Sequence, residues 1–159
     1  MNSLKRKTAL KAELLEVLNA SLTTARAAHK SAVEGATHGE ARQENDKDTR
    51  GLEQSYVARG QALRIAALET EIAEVRTMPL KAVAEVVAPG ALVTAREGDL
   101  SRTYFVAPHG GGAQLERATV QVVTPRSPLG QGVIGKRVGE ECEVTLQGKK
   151  RTLEIVAVA

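Results

Sequence analysis

Four carboxylates lie close together in one polar stretch near residue 40. Glu40, Glu44, Asp46 and Asp48 fall within nine residues. Long segments that are poor in glycine and typical of helices lie on both sides, so we predict that the stretch is the tip of a helical hairpin. Carboxylate oxygens carry negative charge and are hard ligands for divalent metals. These four residues, called the tip acids below, are therefore candidates for delivering charge or a metal ligand to a site on another molecule.

The other residues that could do chemistry do not form a recognisable catalytic pattern. The sequence shows no Ser/His/Asp or Cys/His order, no phosphate-binding loop and no metal-ligand spacing, so we predict that the chain is not itself an enzyme. His38 is either an orienting group at the tip or an exposed turn histidine, and His29 is interpreted as a packed histidine. The glycines after His109 predict a mobile loop.

The single cysteine, Cys142, excludes an internal disulfide and fits a reducing compartment. It lies in a run of alternating apolar residues, which favours a buried thiol in a strand over a reactive one.

Two helices are expected to position the tip acids. Apolar residues recur at a spacing of three or four from Leu15 to Ala36, and Ser3 is a candidate N-cap for this first helix. A second helix is predicted from about Thr49 to Arg76, ended by the proline at position 79. In both segments, larger aliphatic residues far from the tip give way to small residues, mainly alanine, toward the tip. This matched taper indicates that the two helices pack antiparallel.

Composition and charge narrow the class of protein. The 159 residues include only three aromatic side chains and a net charge of +3 that both halves share. This balance argues against a dedicated DNA-binding face. No apolar run is long enough for a membrane span, and the basic N-terminus lacks the apolar region of a secretory signal. We therefore expect a cytoplasmic protein with no membrane partner.

The pattern changes after Met78-Pro79, which predicts two domains, residues 1–77 and 78–159. The second domain is predicted to be a small, mainly antiparallel sheet with one short helix, giving an α+β fold. Ser127 is the predicted N-cap of that helix and Pro128 its first residue. Strands are predicted at 83–87, 91–96, 103–106, 118–123, 141–146 and 151–158.

Two motifs resemble those of the bacterial Gre transcript-cleavage factors. The first is His38-Gly-Glu-Ala-Arg-Gln-Glu-Asn45, which is similar to the tip sequence of that family. The second, more specific motif runs from Ser127-Pro-Leu-Gly through Ile134-Gly-Lys to Gly139-Glu140. The resemblance spans essentially the whole chain and implies a coiled-coil hairpin followed by an FKBP-like β domain.

The resemblance also implies a function and a partner. Gre factors bind RNA polymerase and insert the hairpin into its secondary channel, where tip carboxylates help to hold a Mg²⁺ ion of the polymerase and the nascent transcript is cleaved at its 3′ end. By this resemblance Glu44 and Glu40 are expected to share the polymerase Mg²⁺ ion. Asp46 is added to this set by its position, and Asp48 is a further candidate by position. The chain is expected to have no cofactor of its own and to be a monomer that meets the RNA 3′ end only indirectly. The residues expected to dock on the polymerase are Ser127, Pro128, Leu129, Val133, Ile134, Gly135 and Lys136.

The tip departs from the family pattern in one respect. The family places its acid three residues before the glutamate of Glu-Asn, whereas Glu40 lies four residues before Glu44. This leaves open a second function, a regulator that occupies the channel and affects pausing or initiation without stimulating cleavage.

Two further functions are weaker. A coiled-coil adaptor would need a long apolar stripe on the outer face of the hairpin, where the sequence places mainly charged residues and alanine. Prolyl isomerase activity is rejected because one phenylalanine and one nearby tyrosine cannot line the pocket that it requires.

Overall fold

The computed structural model describes residues 2–41 and 47–159, with side chains described for 2–37 and 51–159. The described chain forms two compact units. One contains the residues up to Val17 together with Ala73–Ala159, and the other is Leu18–Ile72. The predicted division after residue 77 separates helices from sheet, whereas these compact units divide inside the helices.

Helix α1 spans Ser3–Ala41 and helix α2 spans Lys47–Thr77. Both extend further toward the tip than predicted. The predicted N-cap of α1 is wrong: the side-chain oxygen of Asn2 accepts a hydrogen bond from the Leu4 amide at 3.0 Å, so Asn2 caps the helix and Ser3 is its first residue.

In the unit Leu18–Ile72 the two helices pack antiparallel, as predicted. The Arg26 guanidinium lies 3.1 Å from the Glu69 carboxylate, and nearer the tip Gly35 lies against the side chain of Gln54. The residue number therefore rises along α1 while that of the neighbouring residue on α2 falls, as in antiparallel helices. The taper is also observed in the buried residues of this unit, which are Leu18, Leu22, Ala25, Ala32, Leu68 and Ile72.

Residues 92–158 form one six-stranded sheet with the order β3-β4-β2-β1-β6-β5. The β2 and β4 strands pair in parallel and all other neighbours pair antiparallel, so the sheet is mixed. The strands are β1 Leu92–Glu97, β2 Leu100–Val106, β3 Gln114–Leu115, β4 Val120–Val123, β5 Glu141–Leu146 and β6 Lys149–Val158.

The predicted strand at 83–87 is wrong. The backbone there is irregular, and only Val87 makes a ladder-like exchange: its amide donates to Lys136 and its carbonyl accepts from Gly135. Val83 is largely exposed, so the alternation of apolar residues in this segment does not reflect a buried face. The two-residue β3 was not predicted.

The unit that contains Ala73–Ala159 is called the sheet unit below. Its core is formed by alternating residues of the strands and by the short helix α3, Pro128–Val133. Aliphatic side chains dominate this core, and Tyr104 is its aromatic member. Phe105 is also fully buried but is not a member of this cluster. The central members are Val93, Ala95, Val106, Val123, Val133, Val144, Leu153 and Ile155.

Polar contacts join the first turns of α1 to other parts of the sheet unit. Arg6 makes two hydrogen bonds to the carboxylate of Glu116, and the Glu13 carboxylate accepts the Glu116 amide at 3.0 and 3.1 Å. Two lysines one helical turn apart act on the segment that follows α2. Lys7 donates to the Lys81 carbonyl, and Lys11 donates to the Met78 carbonyl at 2.8 Å.

Candidate functional site at the hairpin tip and the Ser127 segment

The tip acids lie at the ends of the two helices and in the segment between them. Glu40 belongs to α1 and Asp48 to α2, while Glu44 and Asp46 fall among residues 42–46. All four side chains, and that of His38, lie outside the described residues. Their roles in holding a metal ion or assisting cleavage therefore stay predictions.

The described helices determine where a tip can be presented. From Leu18 to Ala41, α1 advances about 35 Å at 1.5 Å per residue. Over this length the buried contacts change from leucine to alanine, which lets the helix backbones approach more closely. The result is a two-helix support that ends at Ala41 and Lys47, immediately beside the predicted tip.

A metal site within the chain has no candidate ligands in the described part of the structure. Among residues whose side chains are described, no group of three or more His, Cys, Asp or Glu side chains is placed to hold a metal ion. His29 is half-buried on α1. The tip acids offer carboxylate oxygens, and this donor set fits Mg²⁺.

The Ser127 segment begins with a capped helix, as predicted. The Ser127 hydroxyl accepts a hydrogen bond from the Gly130 amide at 3.0 Å and donates to the Thr124 carbonyl at 2.8 Å. Pro128 occupies the first turn, where its missing N–H group leaves no helical hydrogen bond unmade. At the other end the Ile134 amide donates to the Gly130 carbonyl at 3.0 Å.

Burial divides the residues that were predicted to dock on the polymerase. Leu129 and Val133 are only 7% and 0% exposed and belong to the core. Ser127, Ile134 and Lys136 are half-buried, and Pro128 and Gly135 are exposed. The docking role of the segment stays a prediction, and a contacting surface can be formed only by its accessible members.

Two glycines let α3 pack tightly. A Cβ atom on Gly130 would lie 1.7 Å from the Thr124 carbonyl oxygen, and one on Gly132 would lie 2.3 Å from a methyl group of Val144. The first obstacle is backbone and cannot move aside easily. Gly130 and Gly132 are therefore explained by packing within the sheet unit, whereas Gly135 and Gly139 have open space around them and adopt positive φ.

Cys142 is a buried core residue and His109 contacts another side chain of the sheet unit. Cys142 is buried in β5, as predicted, and burial raises the pKa of its thiol, which disfavours the reactive thiolate. The loop predicted to be mobile makes specific contacts instead: the His109 ring meets the Glu74 carboxylate, and Gly110 lies against Leu14. Sequence spacing gives no signal for such pairs, because they join residues that are far apart in the chain.

Residues 82–159 match the family described as "Transcription elongation factor, GreA/GreB, C-term". This C-terminal part of the chain belongs to the GreA/GreB family. The resemblance that the Ser127 motif indicated is thereby confirmed, together with the helical hairpin and the β domain seen in the structure. Factors of this kind are accessory proteins rather than enzymes in themselves.

Solved structures of similar proteins include GreA factor homolog 1 (Gfh1) of Thermus thermophilus, with 18% identity over 91% of this chain and 94% of that chain and a TM-score of 0.40. Gfh1 of Thermus aquaticus shares 20% identity over 90% and 92%, with a TM-score of 0.41. GreA/GreB from Nitrosomonas europaea shares 18% identity over 60% and 78%, with a TM-score of 0.39. A search of curated proteins found no match.

None of the helices in the described part of the chain has both the length and the apolar character needed to cross a membrane.

Proposed function

We propose that this GreA/GreB family member binds RNA polymerase, inserts the hairpin into the secondary channel and stimulates cleavage of backtracked transcripts. The observation that carries the proposal is the His38–Asn45 motif, together with the four carboxylates of residues 40–48, a stretch that runs from the end of one long helix into the start of the next. The family match in the C-terminal half supports the choice of partner. In this proposal the protein acts in the cytoplasm as a monomer and meets the RNA 3′ end only within the polymerase.

The proposed role of the tip is electrostatic. Glu44, Glu40 and Asp46 would add hard oxygen ligands and negative charge near a weakly held Mg²⁺ ion that belongs to the polymerase. When bound between carboxylates, this ion supplies stabilisation of charge on the reacting phosphate oxygens. Asp48 lies in the first turn of α2, where a carboxylate is favoured by the helix dipole. The carboxylates themselves orient water by accepting its hydrogen bonds.

The proposed docking surface is the accessible part of the Ser127 segment. Pro128 is exposed at the start of the capped helix α3, Gly135 and the half-buried Lys136 follow its end, and the inner residues of the helix are buried in the core. A surface built on such a support loses little freedom on binding, which favours affinity.

A second candidate function is a regulator that occupies the channel without stimulating cleavage. The observation in its favour is the spacing of four residues between Glu40 and Glu44, one more than in the family tip. On a helix one extra residue turns a side chain by about 100°. Such a shift would move one of the two carboxylates away from a shared metal ion.

The two functions are separated by a cleavage assay on backtracked elongation complexes with a 5′-labelled transcript. The proposal predicts that the protein shortens the transcript and that Glu44→Ala, or Asp46→Asn combined with Asp48→Asn, abolishes shortening while polymerase binding stays near that of the unmodified chain. Glu34→Gln is the matched control, because Glu34 is an exposed acid on the same hairpin but away from the tip. Binding without shortening would favour the regulator.

A further inference from the structure

An apolar stripe lies exposed on the half of α2 next to the tip. Leu52 is 55% exposed, Tyr56 61% and Leu63 69%. Successive members are separated by four and seven residues, which places them on one face of a helix. Arg59 falls between Tyr56 and Leu63 on the same face. The outer face of the hairpin therefore carries the apolar surface that the sequence analysis did not identify.

This stripe does not belong to the face of α2 that packs against α1. The inner face of α2 is marked by Leu68 and Ile72, which are buried. At 100° per residue, the stripe residues lie about 120–180° around the helix from these positions. Among the described side chains of the unit Leu18–Ile72 none covers it, since Leu52, Tyr56 and Leu63 are mostly solvent-exposed.

Gly60 gives a second, independent indication of a partner. It lies inside α2 beside the stripe, and a Cβ atom built on it would meet nothing within 4 Å. A glycine inside a helix is destabilising compared with alanine. No packing contact with the described part of the chain explains it, whereas the close approach of another molecule would.

The size of the stripe argues against a second copy of the chain as the occupant. Leu52 and Leu63 are about 17 Å apart along a helix about 10 Å wide, which gives roughly 170 Å². A stable complex of two proteins buries about 800 Å² on each partner. The stripe is therefore suited to be one part of a larger interface, with a partner that also contacts other parts of the chain.

We propose that Leu52, Tyr56, Gly60 and Leu63 pack against an apolar wall of the RNA polymerase channel, with a polymerase carboxylate opposite Arg59. This inference rests on the proposed function, in which the half of α2 nearest the tip enters the channel. Arg59 makes no ion pair among the described side chains and its charge is free to meet an acidic group. The stripe would hold the inserted hairpin in one rotation about its axis.

The test measures the affinity of the full-length chain and its variants for core RNA polymerase, with stability measured in parallel. Leu52→Ser combined with Leu63→Ser is expected to raise Kd by roughly tenfold or more. Arg59→Glu is expected to raise Kd as well, and Arg59→Lys to raise it less. Gly60→Ala is expected to raise Tm, because its methyl group meets open space, and yet to raise Kd, because the methyl group blocks the close approach.

Val57→Ser is the matched control, since Val57 is an exposed apolar residue on another face of the same helix. Its Kd is expected to stay near that of the unmodified chain. If the unmodified chain binds polymerase and the stripe variants bind equally well, the stripe inference is overturned while the proposed function stands. If the unmodified chain does not bind polymerase, both are overturned. Concentration-dependent dimers in sedimentation velocity that are lost in the stripe variants would assign the stripe to a second copy and overturn the inference.

Discussion

The guanidinium of Arg6 forms two parallel hydrogen bonds, 2.8 and 2.7 Å long, with the carboxylate of Glu116, a residue 110 positions away in the sequence. Paired bonds of this kind fix the geometry as well as the charge separation. Because Glu13 accepts the backbone amide of the same Glu116, two side chains of α1 hold a single residue of the turn between β3 and β4.

The first prediction concerns the pH dependence of this contact. The hydrogen bonds from Arg6 hold the pKa of Glu116 below its usual value of 4.5. A carboxyl group whose pKa is lowered by folding stabilises the protein above its unfolded pKa and loses that stabilisation as the pH falls through the folded value. Glu116→Gln should therefore lower the free energy of unfolding by about 0.5–1 kcal/mol at pH 7, the range of a partly exposed pair.

Urea unfolding of the two proteins between pH 3 and pH 7 checks this expectation. The difference between them should be constant above about pH 5 and should shrink as the pH falls below 4.5, the usual value of the carboxyl group. Glu97→Gln provides a control, because its contact with Arg151 is long, at 3.9 Å. A difference that does not change with pH would show that the carboxylate charge is not what stabilises the turn.

The second prediction concerns the turn that Glu116 begins. Glu116, Arg117 and Ala118 have φ values of 52°, 55° and 68°, in the left-handed region that disfavours side chains. Ala118→Gly should raise the free energy of unfolding by up to about 1 kcal/mol, because glycine adopts this conformation without a steric cost. Ala20→Gly, in the exposed middle of α1, should lower it by about 1 kcal/mol. Urea unfolding of both variants is the deciding measurement, because the two alanine-to-glycine changes should shift the free energy of unfolding in opposite directions. Shifts in the same direction would contradict a strained turn.

The third prediction concerns the close packing of α3. Gly130→Ala places a methyl group 1.7 Å from the Thr124 carbonyl oxygen, so the helix must shift away from its support. We expect a loss of at least about 3 kcal/mol in the free energy of unfolding, the upper part of the range for overpacking. Gly135→Ala has open space around it and only an unfavourable φ of 83°, and should cost about 1 kcal/mol. Chemical denaturation of both variants tests whether Gly130→Ala destabilises the protein more than Gly135→Ala. The opposite order would show that the segment is loosely packed.

Local patterns were predicted where the deciding interactions are local. The Ser127 cap and Pro128 lie next to the helix that they begin, and the β5 strand alternates over its whole length. The strand expected at 83–87 was wrong because alternation alone cannot show whether a neighbouring strand exists to pair with it. The two-residue β3 is too short to produce a pattern.

Contacts between distant residues were not predictable from the sequence. Arg6 with Glu116 and Glu74 with His109 depend on the way the chain folds back on itself, which no spacing rule encodes. The exposed stripe on α2 was missed for a different reason. Its three large residues are spread over twelve positions among mostly polar and small residues, so it is visible only when exposure is known. The tip acids are the opposite case, since their proximity in the sequence alone makes them candidates.

The hydrogen bonds that Lys7 and Lys11 donate to the chain after α2 have an evolutionary consequence. Both lysines bind main-chain carbonyl oxygens, those of Lys81 and Met78. Every amino acid supplies such an oxygen, so the side chain of the exposed Lys81 is free to drift between species without loss of the acceptor. The two donors on α1 have no such freedom. We therefore expect lysine to be conserved at positions 7 and 11, and the residue at position 81 to vary. A comparison of orthologous sequences at these three positions tests this expectation.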